Sequence, residues 1–126
     1  MSLNPYLGHP RFFLGSDSAP HPPHTKATST PTQACAAGIY TSPILLPLVA
    51  HILESFGALD KLEDFVSRFG RVFYKRPLSK SPPKVILSRP KGGTGLISHQ
   101  YVLDDATVIP FWAGREVGWE IRDGLE

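Results

Sequence analysis

A carboxylate and an imidazole stand four residues apart in Gly15-Ser16-Asp17-Ser18-Ala19-Pro20-His21. They follow Arg11-Phe12-Phe13-Leu14, a short apolar run bounded by Pro10 and Gly15, which is the signature of a strand buried on both faces. In parallel α/β folds, sites gather where strands end. A carboxylate aimed into a pocket there can ligate a metal ion and take a proton from metal-bound water. The alternative reading of a single Asp after a strand is a turn-former or a helix cap.

The remaining chemistry-bearing residues are weaker candidates. His21 and His24, separated by Pro22-Pro23, could act as paired metal ligands with Cys35 as a third, but two prolines keep the segment extended and do not aim both rings at one point. Cys35 has no evident base or helix N-terminus beside it that would activate a nucleophile. As the single cysteine, it also excludes an internal disulfide framework and a cysteine-based zinc finger. His51 falls among apolar helix residues and reads as structural, and His99 falls in a loop. Gly92-Gly93-Thr94-Gly95 lacks the Lys-Ser/Thr ending of a phosphate loop and reads as turn chemistry.

Several elements must position these residues. From Ser18 to Gly38 the chain carries one charge, Lys26, and four prolines, Pro20, Pro22, Pro23 and Pro31, so a long loop spans 18–41. Ser42-Pro43 is a helix start. Ile44, Leu45, Leu48, Val49, Ile52, Leu53 and Phe56 recur at helical spacing up to Gly57, with Pro47 as the inconsistency. A second helix fits Leu59 to Phe69, with Asp60 as cap, Glu63 as its capping-box partner, Leu62, Phe65, Val66 and Phe69 as the buried stripe, and Gly70 as the stop. Val85-Ile86-Leu87 and Tyr101-Val102-Leu103 read as strands around the glycine turn. Residues from Val108 to Ile121 suggest a hairpin turning near Gly114-Arg115.

Composition sets the outer bounds. At 126 residues, 41% hydrophobic and 19% charged, the chain suits one domain with a lean core, and 13 prolines with 11 glycines demand long irregular segments. No apolar run approaches the roughly 18 residues of a membrane span, so a soluble, cytoplasmic chain without a membrane partner is expected. Charge is uneven. Lys61, Arg68, Arg71, Lys75, Arg76, Lys80, Lys84, Arg89 and Lys91 make residues 61–91 basic, with Phe69, Phe73 and Tyr74 interleaved, and residues 92–126 are acidic. Such a block could bind a phosphate backbone. Without an RNA-binding or helix-turn-helix signature, it reads as a solvated surface partly neutralised by the acidic C-terminal block, and no nucleic-acid partner is expected.

Phe12-Phe13-Leu14-Gly15-Ser16-Asp17-Ser18-Ala19-Pro20-His21 resembles the last barrel strand and active-site loop of the dihydroorotase family, the homodimeric kind within the amidohydrolase superfamily. The resemblance continues in order through Cys35-Ala36-Ala37-Gly38-Ile39-Tyr40, Leu59-Asp60-Lys61-Leu62-Glu63, Phe73-Tyr74, and Val108-Ile109-Pro110-Phe111-Trp112-Ala113-Gly114 with Trp119, and covers residues 10–123. It implies the C-terminal fragment of a (β/α)8 TIM-type barrel. Residues 1–10 would be an irregular entry, 11–76 the last βα unit (last strand, active-site loop and two helices), and 77–126 a C-terminal β-hairpin extension. It also implies a zinc-dependent hydrolase of a cyclic amide in pyrimidine synthesis, acting on dihydroorotate or carbamoyl-aspartate. In that family Asp17 would match a zinc ligand and general base, His21 a residue holding the substrate carboxylate, and Ala37 a position whose backbone touches the substrate ring.

The family's other metal ligands, on the first and middle barrel strands and on a carboxylated lysine, have no counterpart here. Between His21 and Cys35 the chain is longer and richer in proline than bacterial relatives. A barrel takes about 250 residues. A missing barrel segment is therefore an expected partner, inactivity of the isolated chain is expected, and homo-oligomer formation is expected because lone barrel elements expose apolar surface. The competing expectation is a degenerate, non-catalytic fragment that serves as an interaction module.

Overall fold

The computed structural model describes residues 8–26, 34–76 and 84–122. Three readings fall outside these residues: much of the N-terminal segment 1–10, the middle of the 18–41 loop with Pro31, and the proline-broken stretch around Lys80.

The fold is organised around one helix. Ser42–Ile44 forms a 3-10 turn that runs into helix α2, Leu45–Ser55. Pro43 sits where a missing N–H costs nothing, and Pro47 still lies in the first turn of α2, so its ring is tolerated and buried. The regular helix thus begins at Leu45, ahead of Pro47. Thr41, not Ser42, is the residue before the helical segment, and its side chain makes no capping bond. Gly57, with φ 66°, ends the helix as a left-handed residue.

Two apolar clusters flank α2. Ile44 and Leu48 pack with Ile97, Val117 and Trp112, while Val49 and Leu53 pack with Ala58, Leu14, Leu45, Leu62, Phe65 and Val66. Ala50 is fully buried. Burial on two sides exceeds the single expected stripe, yet Ile52 and Phe56, both assigned to that stripe, are exposed, Phe56 at 58%.

The second helical stretch departs from the expected one. Leu59–Lys61 is a 3-10 turn, Asp64–Arg68 is π-helical, and helix α3 spans Phe69–Phe73. Asp60 does not cap it: Ala58 holds that position, no side-chain cap bond forms, and the Asp60 carboxylate pairs with Lys61 at 2.8 Å. Gly70 does not stop it either. The Phe13 ring lies over Gly70, where a Cβ would meet Phe13 Cδ2 at 3.3 Å, so this glycine serves close approach.

Residues 11–14 form no strand. A strand requires a ladder partner, and among the described residues none runs beside this segment. Leu14 N–H instead donates to the Phe65 carbonyl of the π-helical stretch at 2.9 Å. Phe12 is 50% exposed, and Phe13 and Leu14 are half-buried. The one parallel pairing among the described residues is the bridge Ser18↔Ile39.

The C-terminal part is a nested antiparallel ribbon of short strands. β1 (Leu87–Ser88) pairs β6 (Glu120–Ile121), β2 (Gly95–Leu96) pairs β5 (Glu116–Val117), and β3 (Tyr101–Leu103) pairs β4 (Ala106–Val108). Its apex is the Asp104-Asp105 turn, where Asp104 takes φ 54°, not Gly114-Arg115. β1 and β3 do not pair around the glycines. Gly92 and Gly93, both at φ 95°, form a local turn closed by Gly93 N–H to the Pro90 carbonyl at 2.9 Å. The ribbon packs back on α2 through Ile97 and Val117.

Candidate active site

Asp17 has a left-handed backbone, φ 43°, which aspartate tolerates better than bulkier residues because its short polar side chain bonds locally. Its side chain is exposed. Among the described residues no hydrogen bond or ion pair engages its carboxylate, which is left open to an outside group.

The neighbouring residues tie the loop at its base. Ser18 Oγ accepts from the N–H groups of Thr41 and Ser42, both at 3.0 Å, which satisfies donors that open the helical segment. Ala19 N–H donates to the Ile39 carbonyl at 2.9 Å. Gly38 is required here: its φ is 103°, and a Cβ on it would lie 2.5 Å from Ala19 Cβ.

Helix α1, Pro23–Lys26, braces the two limbs of the loop. Proline at its first position needs no N–H partner, and Thr25 Oγ1 donates to the Pro22 carbonyl at 2.8 Å. The segment after His21 is therefore helical from Pro23, a correction to the extended form expected from two prolines. Ala36 N–H donates to the Thr25 carbonyl at 3.0 Å, and Lys26 Nζ donates to the Ala36 carbonyl at 2.8 Å and to the Gly38 carbonyl. Cys35 is exposed, and its thiol donates to the Lys26 carbonyl at 3.3 Å.

Asp17 and Ala37 thus flank the Ser18↔Ile39 bridge on its two limbs, and the half-buried His21 leads into the helix that grips the second limb. Ser18 and Lys26, which hold this arrangement, carried no sequence signal, because their partners are twenty-odd and ten or more residues away. Among the described residues, no three His, Cys, Asp or Glu side chains form a group that could hold a metal ion, so His21, His24 and Cys35 are not a ligand set. Zinc takes about three or four protein ligands, and Asp17 is one carboxylate. By themselves, these residues do not fit the ion.

A second polar cluster joins α2 to the ribbon. Glu54 accepts from Arg89 and from Trp119 Nε1 at 3.1 Å; Arg89 also donates to the Gly118 carbonyl at 2.9 Å, and its guanidinium lies 4.2 Å from the Trp119 ring centre. The Arg89 hydrogen bond holds the Glu54 carboxyl below the usual glutamate range, against partial desolvation that raises it. His51 Nδ1 accepts from Gly118 N–H at 3.2 Å and its ring meets Trp112 edge-on, so this histidine is structural. In the basic block, the ion pairs among the described residues join Lys61 to Asp60, Arg68 to Asp64 and Arg89 to Glu54, and none uses the acidic C-terminal block. His99 lies exposed in a loop.

No family model matches the chain. Its mixed helix and strand architecture is nevertheless that of solved dihydroorotase structures. The Saccharomyces cerevisiae dihydroorotase crystallised with 5-fluoroorotic acid superposes with a TM-score of 0.79 at 36% identity, over 91% of this chain and 31% of that one. The sequence agrees: the chain is 39% identical to the dihydroorotase of Mycosarcoma maydis and 44% identical to that of Alkalilimnicola ehrlichii, over 90% of its own length in each case. Over nine tenths of its length the chain is thus similar to dihydroorotases. It spans well under half of these relatives, 40% of the first and 31% of the second.

Among the described residues no helix is long and apolar enough to cross a membrane.

Proposed function

We propose that this chain is the C-terminal portion of a dihydroorotase, a zinc-dependent cyclic amidohydrolase that interconverts N-carbamoyl-aspartate and dihydroorotate, and that it is inactive until the rest of the barrel joins it. The observation that carries this reading is the likeness to the yeast enzyme over 91% of this chain but 31% of that one. Residues 11–76 then supply the last βα unit, in which 11–14 would gain its strand partner from the joined barrel segment, and 77–126 a C-terminal extension.

The free Asp17 carboxylate supports its role as general base. One of its oxygens takes the proton from the attacking water and returns it to the leaving amide nitrogen. Asp17, together with ligands supplied by the joined barrel segment, would hold zinc, which would supply Lewis-acid polarisation of the carbonyl. His21 holds the substrate carboxylate, and the Ala37 backbone contacts the ring.

The test is reassembly. The full chain is mixed with a separately expressed polypeptide that supplies the remaining part of the Saccharomyces cerevisiae relative, and dihydroorotate turnover is followed. Turnover is expected from the mixture and from neither component alone, with less than stoichiometric zinc on the isolated chain. Asp17→Ala should lower kcat by about 10²-fold or more, whereas His21→Ala should chiefly raise KM. Two zinc ions per isolated chain, or full turnover with Asp17→Ala, would defeat the reading. A mixture that binds the barrel segment without turnover would favour the non-catalytic interaction module.

A further inference from the structure

We infer that Lys26 is a positioning residue of the loop: its ammonium, bridging the Ala36 and Gly38 carbonyls, folds the second limb so that the Ala37 backbone is presented to a bound cyclic substrate. The inference rests on the dihydroorotase reading for the substrate and on geometry alone for the clip.

Lysine offers three donors and no acceptor on a flexible stem, which suits it to collecting carbonyl oxygens. Among the described residues no carboxylate pairs with Lys26, and two main-chain carbonyls take its charge instead. Both polar groups of Ala36 point toward α1, its N–H to the Thr25 carbonyl and its own carbonyl to Lys26 Nζ. The N–H and carbonyl of Ala37, by contrast, are bonded by no described residue. Gly38 then uses φ 103° to bring its carbonyl back to the same ammonium, a geometry that a side chain would obstruct against Ala19. Ala37 is left with unbonded main-chain groups between two residues whose carbonyls Lys26 holds, on the limb bridged to the residue after Asp17.

The experiment compares wild type, Lys26→Met and Lys26→Arg. Methionine keeps the stem and removes the donors, while arginine retains donors able to span two carbonyls. In the full chain, amide hydrogen exchange at Ala36 and Ala19 should quicken at least about tenfold in Lys26→Met, as expected when the charge-assisted hydrogen bonds to the Ala36 and Gly38 carbonyls are lost, and return toward wild type in Lys26→Arg. In the reassembled enzyme, Lys26→Met should raise KM for dihydroorotate about tenfold with kcat nearly constant, the signature of lost binding contacts, and Lys26→Arg should restore it. Unchanged exchange in Lys26→Met, or a kcat loss at constant KM, would overturn the inference. Absence of turnover in the wild-type reassembly would overturn the dihydroorotase reading instead, and the exchange comparison would then decide the clip by itself.

Discussion

At the residue scale the candidate site depends on contacts that a single atom can break. Gly38→Ala adds a Cβ 2.5 Å from that of Ala19 at a φ of 103°, so the loop base must open. A loss of about 1–3 kcal/mol is expected from the backbone conformation alone, read as a lower urea midpoint. An unchanged midpoint would show that the two limbs are not held together. Glu54 offers a pH test. Its folded carboxyl titrates below its unfolded value because Arg89 donates to it. The pair therefore stabilises the fold above the ordinary glutamate range, and the contribution is lost as pH falls through the folded value. Wild type should exceed Glu54→Gln in stability near neutrality and converge with it on acidification; a difference independent of pH would remove the ion pair as its cause. Asp17 and His21 could be proposed as a pair from the sequence because their relation is local. Glu54, Arg89 and Trp119 were not, because no spacing links residues 35 and 65 positions apart.

At the scale of elements, α2 is the axle, with one face on the ribbon and the other on Leu14 and the helical stretch that follows α2. Leu53→Ala should cost about 2–5 kcal/mol, as for other buried leucines, and Ile52→Ala far less because Ile52 is exposed. Equal losses at the two positions, measured by chemical unfolding, would contradict the packing. Helix α2 was readable from its 3.6-residue period and from Gly57. The continuation of the next helix through Gly70 was not, because the reason lies in the Phe13 ring, far away in sequence. Ribbon strands of two or three residues are too short for any alternation to reveal their partners.

At the scale of the whole molecule, the notable surface is aromatic. Phe13, Phe73 and Tyr74 form a cluster with ring centres 5.0 to 5.9 Å apart, and Phe73 and Tyr74 are 64% and 66% exposed. Exposed apolar patches of this kind mark association surfaces. The isolated chain should self-associate in size-exclusion chromatography, and the doubly substituted Phe73→Ser, Tyr74→Ser chain should shift toward monomer. A compact wild-type monomer at high concentration would contradict this.

The amino-acid sequence alone determined the Asp17–His21 motif, the proline-rich loop, the main helix with its glycine end, and the family resemblance, since each is written in neighbouring residues or in a short period. Only the tertiary structure decided that Phe12–Leu14 is not a strand, that the ribbon strands pair in nested order, and that Ser18 and Lys26 close the loop. Those outcomes depend on which distant groups meet, and a backbone donor or a charged amine takes whichever acceptor the folded chain brings within reach.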